Sequence, residues 1–257
     1  MKRYESAKIE GHCHKQDISF MRINAPEIAK DAKPGQFVMV YLDKGKHLLP
    51  RPISLFDVDN AGGIITLVFI VAGAGTKIMS EWPIGHTLQM LGPLGNGFNL
   101  DGFRAGERVA LVGGGLGAAP LFFLVKSLNK TGIKTDIYLG FRCDTPMLIK
   151  HFESLSDNLH IVTEDDSGSG RYKGRVTDFL PDNPDYAGIL SCGPTPMLKT
   201  LAAYAKAHKI PCQVSMEERM ACGLGACKGC VVKTRAGYHL CCMDGPVFDS
   251  KEVKWDG

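Results

Sequence analysis

Five cysteines crowd the stretch 216–248, MEERMACGLGACKGCVVKTRAGYHLCCMDGPVF. Cys222, Cys227 and Cys230 follow a C-x4-C-x2-C spacing, and the pair Cys241–Cys242 comes after a turn-rich interval. Three thiols so spaced, with a distant fourth, make the donor set of a [2Fe–2S] cluster. Two irons and two sulfides need four thiolates arriving from different directions, so the chain must wrap around them. Gly223, Gly225 and Gly229 allow positive φ angles and let backbone N–H groups approach sulfur. Cys241 or Cys242 supplies the fourth ligand.

Other uses of clustered cysteine fit less well. A zinc site spaces its ligands as two short pairs, and only one C-x2-C occurs here. A disulfide framework suits a small secreted domain, whereas the opening MKRYESAKIEGHCHKQ has no apolar signal segment. Nine cysteines without an export signal suggest a reducing compartment, and a cytoplasmic location is expected.

Composition bounds the rest. The 257 residues are enough for two domains and a small appendage. Hydrophobic content of 44% and charged content of 22% are those of a soluble globular protein. A net charge of +3, without basic runs interleaved with aromatics, gives no reason to expect nucleic acid. The longest apolar run, Val109–Val125, is broken by glycines and Pro120 and is too short to span a bilayer.

The elements that must position this chemistry fall into two textures. Residues 1–100 read as short strands, with candidates at Ile18–Ile23, Gln36–Leu42 and Ile64–Val71. Turn chemistry separates them at Pro34–Gly35, Asp43–Gly45, Asn60–Gly63 and Pro83–Gly85, which suggests a small antiparallel barrel. In this region Arg51-Pro52-Ile53-Ser54 follows a charged loop. Its arginine could fix a phosphate and its serine could hydrogen-bond a heterocycle, although an Arg-Pro turn with a capping serine is an equal alternative. Gly73-Ala74-Gly75-Thr76 precedes a helical turn expected at Lys77–Trp82, where exposed N–H groups favour a pyrophosphate or serve merely as a cap.

From Gly102 onward strands and helices alternate. Arg108–Val112 reads as a buried strand, Gly113–Gly117 as a glycine turn, Ala118–Leu128 as a helix and Lys134–Gly140 as a second strand, completing a βαβ unit. The turn lets Gly115 and Gly117 approach a dinucleotide, though GGGLGAAP is not the strict G-x-G-x-x-G fingerprint. A strand at Ala187–Leu190 leads into Cys192-Gly193-Pro194-Thr195 and the helix Leu198–His208. Cys192 there contacts a flavin or nicotinamide, or is simply a small buried hydrophobe. Asp144 could hold the adenosine ribose and favour NAD; Arg142 argues for a 2′-phosphate; Glu164 and Asp165 read equally as a solvated loop.

RPIS, GAGT, GGGLGAAPL and CGPTPM, in that order, resemble the ferredoxin–NADP reductase superfamily. EERMACGLGACKGC followed by C-x-D-G-P-V-F narrows the resemblance to the electron-transfer subunits of NAD-dependent, type B dihydroorotate dehydrogenase, over essentially the whole chain. It implies a multidomain β plus α/β protein: an antiparallel FAD-binding barrel (1–101), a parallel-sheet NAD-binding domain (102–210) and a small C-terminal [2Fe–2S] domain (211–257). It also implies that Arg51, Pro52, Ile53, Ser54, Val68, Phe69, Ile70, Gly75 and Thr76 hold FAD. Gly115, Gly117, Cys192 and Gly193 would hold NAD, with Ser54 and Cys192 nearest the chemistry. Cys222, Cys227, Cys230 and Cys242 would ligate the cluster. The implied partner is an FMN-containing catalytic subunit, two of each forming a heterotetramer in pyrimidine biosynthesis. Electrons would run from its FMN through [2Fe–2S] and FAD to NAD+. A flavin and iron–sulfur subunit serving ferredoxin or a hydrogenase shares every cofactor motif, and a zinc-bearing interaction module is the reading from another class.

Overall fold

The structure is a computed structural model and describes residues 2–15, 17–42, 48–143, 145–156, 158–165 and 172–255. The expected turn at Asp43–Gly45 and the ribose candidate Asp144 lie outside the described residues. The chain forms two compact units, one of residues 1–97, 218–232 and 239–246, the other of 98–217, 233–238 and 247–257.

The first unit is built on a closed antiparallel barrel. Its elements are β1 (Arg3–Lys15), β2 (Ile18–Asn24), α1 (Pro26–Asp31), β3 (Phe37–Tyr41), β4 (Arg51–Asp59), β5 (Ile64–Ile70), α2 (Ala74–Ser80) and β6 (Thr87–Leu94). The strand order is β1-β2-β5-β4-β3-β6, with β6 pairing back onto β1. Alternate inward side chains fill it: Met21 and Ile23 from β2, Leu55 from β4, and Ile65 and Leu67 from β5 are all fully buried. Register shifts between Ile9 and Gly11, Phe37 and Met39, and Leu55 and Asp57 bend the strands enough to close the ring. Glu5 on β1 accepts the N–H of Ile28 at 2.9 Å and of Glu27 at 3.2 Å, capping α1 from another element.

The second unit is a seven-stranded sheet with β7 (Arg108–Gly114), α3 (Ala119–Lys130), β8 (Lys134–Phe141), α4 (Pro146–Ile149), β9 (Asn158–Thr163), β10 (Tyr172–Lys173), β11 (Gly188–Cys192), α5 (Thr195–Ala207) and β12 (Cys212–Ser215). A β13–β14 hairpin (Val231–Thr234, Gly237–Leu240) and β15 (Val247–Asp249) follow. The sheet order is β10-β9-β8-β7-β11-β12-β15, parallel except for β15, which runs antiparallel on β12. Every residue of β11 and all but the first of β7 are buried, as expected of strands covered on both faces. Sequence neighbours lead outward from β7 through β8 and β9, and the chain then returns to the other side of β7 as β11. The β7–β11 seam is thus the switch point, the place where open α/β sheets bind ligands.

Candidate functional site

The cluster loop belongs to the first unit. Cys222 Sγ accepts the N–H of Leu224 at 3.4 Å and of Cys227 at 3.5 Å. Burial would raise this thiol, but the N–H groups of Cys227, Leu224 and Ala226 and the side chain of Cys227 outweigh it, and the pKa falls to about 7. Cys230 Sγ accepts the N–H of Cys242 at 3.4 Å, and its carbonyl accepts the N–H of Cys241 at 2.7 Å. Cys242 is pushed up to about 11, first by burial and then by the hydrogen bond and charge of Cys230, with Cys222 adding to the repulsion. The thiols therefore stand in two pairs, 222 with 227 and 230 with 242. Among the described residues no three His, Cys, Asp or Glu side chains gather about a single point as one metal ion requires. Two pairs suit two irons, with two thiolates for each, and the inward N–H groups are the hydrogen bonds that cluster sulfurs accept.

Glycine is required where the loop turns. Gly223 has φ +69, and a Cβ there would stand 2.6 Å from Met39 Cγ of β3. Lys228, between two of the cysteines, takes the same left-handed conformation at φ 53 without being glycine.

On the barrel, Arg51–Ser54 forms the first half of strand β4, paired with Val40 through Phe37, and is neither a turn nor a cap. Helix α2 begins at Ala74, earlier than the expected Lys77, and this brings the two motifs together. A Cβ on Gly75 would stand 2.5 Å from Arg51 Cζ, so the guanidinium lies directly over the start of α2. Thr76 Oγ1 accepts the N–H groups of Ala72 at 3.0 Å and Gly73 at 3.2 Å, which holds the approach to the helix. Ser54 is exposed, Pro52 half-exposed and Ile53 buried. On the adjoining strand Val68 and Phe69 are buried in the barrel, whereas Ile70 is 37% exposed. An arginine over an open helix start with a free-edged hydroxyl on the same strand fits a phosphate joined to a heterocycle.

In the second unit a cleft of about 660 Å³ opens at the carboxyl ends of the strands, lined among others by Gly114, Gly115, Gly140, Arg142, Arg175 and Met197. Gly115 has φ +56, and a Cβ there would meet nothing within 4 Å, so its backbone is open to a ligand. Gly117 differs. A Cβ on it would stand 2.6 Å from the carbonyl oxygen of Cys192 and from Gly193 Cα, so this glycine closes the seam between two loops. Gly193 packs against Gly114 and Met197 in the same way. Cys192 is 2% exposed, and burial, then the charge of Glu217, raises its thiol to about 12 while Ser215 on β12 hydrogen-bonds to it. It remains a neutral, buried thiol at physiological pH. Arg175 and Met197 were not singled out from the sequence. Arg175 precedes a short 3-10 turn, Val176–Phe179, that carries no periodicity, and Met197 stood in the quoted CGPTPM without a role.

Residues 217–254 match the family model described as the iron-sulfur cluster binding domain of dihydroorotate dehydrogenase B. Two curated relatives are both "dihydroorotate dehydrogenase B (NAD(+)), electron transfer subunit". The one from Desulforamulus reducens is 38% identical over 92% of each chain, and the one from Clostridium acetobutylicum is 36% identical over 98% of this chain and 95% of its own. The solved structure of an NADH-dependent reduced ferredoxin-NADP oxidoreductase superposes with a TM-score of 0.85 at 31% identity, covering 97% of this chain and 90% of that one.

Proposed function

Because the chain belongs to the electron transfer subunits of dihydroorotate dehydrogenase B (NAD(+)), we propose that its three sites are successive stations of one electron relay serving a catalytic partner subunit. The observation that carries the proposal is the paired thiols of the cluster loop, on the same chain as an arginine-covered helix start and a strand-end cleft. When bound, the cluster handles single electrons, FAD converts between single electrons and pairs, and NAD+ accepts a hydride.

The residues divide the work. Cys222 and Cys227 serve one iron and Cys230 and Cys242 the other. Arg51 neutralises cofactor phosphate at the start of α2, Gly75 leaves room for that guanidinium, and Thr76 fixes the loop. Ser54, exposed on β4, offers its hydroxyl to the flavin ring, with the backbone of Val68–Ile70 alongside. Gly115 admits the dinucleotide diphosphate, and Cys192–Gly193 lines the nicotinamide end, with Cys192 as a neutral, buried thiol rather than a base. No side chain of this subunit need give or take a proton in the hydride step. We assign FAD to residues 1–101, NAD to 102–210 and the cluster to 211–257, and expect a cytoplasmic heterotetramer with two copies of an FMN-bearing subunit. Among the described residues no helix is long and apolar enough to cross a membrane.

The test is an anaerobic absorption titration of the purified subunit with its partner, adding dihydroorotate without NAD+. Bleaching of the flavin and iron–sulfur bands is expected. Bands that bleach with NADH but not with dihydroorotate would leave a reductase serving another donor.

A further inference from the structure

The chain from β9 to β11 carries β10 and the 3-10 turn Val176–Phe179, where the connections before and after it carry helices. This strap supplies one wall of the cleft, residues 174–178. Arg175 is exposed there; its N–H is donated to Asp178 Oδ2 at 3.3 Å, and its carbonyl accepts the N–H of Asp178 at 2.9 Å. Those bonds are internal to the turn, so they shape the strap without fixing it to the sheet. The fixing comes from other contacts. Gly174 donates its N–H to the carbonyl of Thr163 at 2.9 Å, and Val176 fills the notch left by Gly140, where an added Cβ would stand 2.8 Å from Val176 Cβ. Phe179 folds back onto Tyr172, with ring centroids 5.0 Å apart.

Tyr172 ends a column of rings that crosses this face of the sheet. Tyr138 and His160 are partners in the β8–β9 register, and their rings stack with centroids 4.5 Å apart and planes 6° apart. The His160 centroid lies 6.4 Å from that of Tyr172, tilted by 31°. The buried end of the column is fixed. Tyr138 is 4% exposed, and its hydroxyl meets that of Tyr186 at 2.9 Å. Tyr186 donates its proton to Asp136 Oδ2 at 3.1 Å, which leaves Tyr138 as the donor between the two tyrosines. Asp136 is held in turn by Arg108 and by Asn158 Nδ2 at 2.8 Å. Rigidity thus runs from a buried carboxylate through Tyr186, Tyr138 and His160 to the exposed Tyr172 and the strap. His160, half-buried, is the link between the fixed end and the strap end, and the electron relay gives it no other task.

Resting on the reading of this cleft as the dinucleotide site, we propose that His160 is a positioning residue for NAD: stacked between Tyr138 and Tyr172, it holds the strap where Arg175 meets the charge of the dinucleotide's phosphates. Those phosphates do not change in the hydride step, so the guanidinium binds ground and transition states alike. Losing its placement therefore raises KM and leaves kcat where it was. The role needs only a flat ring, which phenylalanine supplies and alanine does not.

The test uses the complete complex and two readouts, steady-state oxidation of NADH with ferricyanide as acceptor and calorimetric titration with ADP-ribose. His160→Ala should raise the KM for NADH and the Kd for ADP-ribose together by roughly 2- to 10-fold, the worth of one aromatic pair, with kcat unchanged. His160→Phe should restore both. Tyr172→Ala breaks the same column from its exposed end and should reproduce the loss, which keeps the test decisive if His160→Ala does not fold. Arg175→Gln should raise both constants by roughly 10- to 100-fold, the worth of hydrogen bonds to a charged group. Adding His160→Ala to it should bring no further loss, because the histidine acts through the arginine. A lower melting temperature in His160→Ala and Tyr172→Ala with KM and Kd unmoved would make the column merely structural and overturn the proposal. Additive losses in the double variant, or an Arg175→Gln variant that binds ADP-ribose as the wild type does, would also overturn it while the dinucleotide site stands. Failure of the wild type to bind ADP-ribose would remove the cleft as the dinucleotide site, and this inference with it.

Discussion

The adjacent thiols of Cys241 and Cys242 are equally buried, and Cys242 is in electrostatic contact with both Cys230 and Cys222. Cys242→Ser should therefore abolish most of the iron–sulfur absorption of the purified protein, while Cys241→Ser retains it; the reverse pattern would exchange their roles. Lys228 carries the strain of a left-handed conformation in an L-residue. Lys228→Gly relieves it, less the greater freedom glycine has when unfolded, and should stabilise the holo-protein by about 1 kcal/mol at most in thermal melts. Spacing alone made the three leading cysteines legible. The choice between 241 and 242 was not, because adjacent residues share every sequence signal and differ only in where the backbone turns their side chains. Arg51 and Gly75 illustrate the same limit: each motif could be read singly, but their contact depends on β4 and α2 meeting across the barrel.

The glycine turn between β7 and α3 shows how one motif divides its labour. Gly117→Ala would press a methyl group into the backbone of the turn after β11 and should cost ~1–3 kcal/mol as overpacking, read by urea denaturation. Gly115→Ala meets no atom and should cost about 1 kcal/mol through its left-handed backbone, while raising the KM for NADH because the new methyl enters the cleft. Equal losses of stability in the two would refute this division. Periodicity located β2, β3, β5, β7, β8 and β11 to within two residues or so, since alternation and unbroken apolar runs are local signals. It did not reveal β1, whose 13 residues are mostly polar and half-exposed, or β15, whose three residues become a strand only by pairing with β12. Arg51–Ser54 read as a possible turn because Pro52 discourages a strand; within β4 it is tolerated opposite Met39.

At the scale of the whole molecule, weak acids desolvated by the fold set an alkaline limit. Burial raises the thiol of Cys192 to about 12 and that of Cys212 to about 11, and it raises the Tyr186 hydroxyl as well. A thiol held neutral by folding keeps its proton while the unfolded chain, titrating near 9, loses it. Its contribution is therefore complete below pH 9 and declines as pH climbs through 11 and 12. Melting temperature should fall steeply above pH 9, and Cys192→Ala should flatten that fall; a profile level to pH 11 would contradict it. The division into barrel and parallel sheet was legible from the change of texture near Gly102, whereas the sharing of residues after 217 between both compact units was not, because no sequence pattern marks a chain that alternates between them. The antiparallel pairing of Ser215 with Val247 has a further consequence. It joins the chain just before the cysteines to the chain just after them, so the cluster-bearing segment is a ring closed at its root. The entropy of bringing distant ligands together grows with the logarithm of the contour between them, and here sheet hydrogen bonds meet that cost before any iron arrives. A cluster lost to oxygen or a chelator leaves a closed ring with its thiols at high effective concentration, and refilling it calls for iron and sulfide but no refolding.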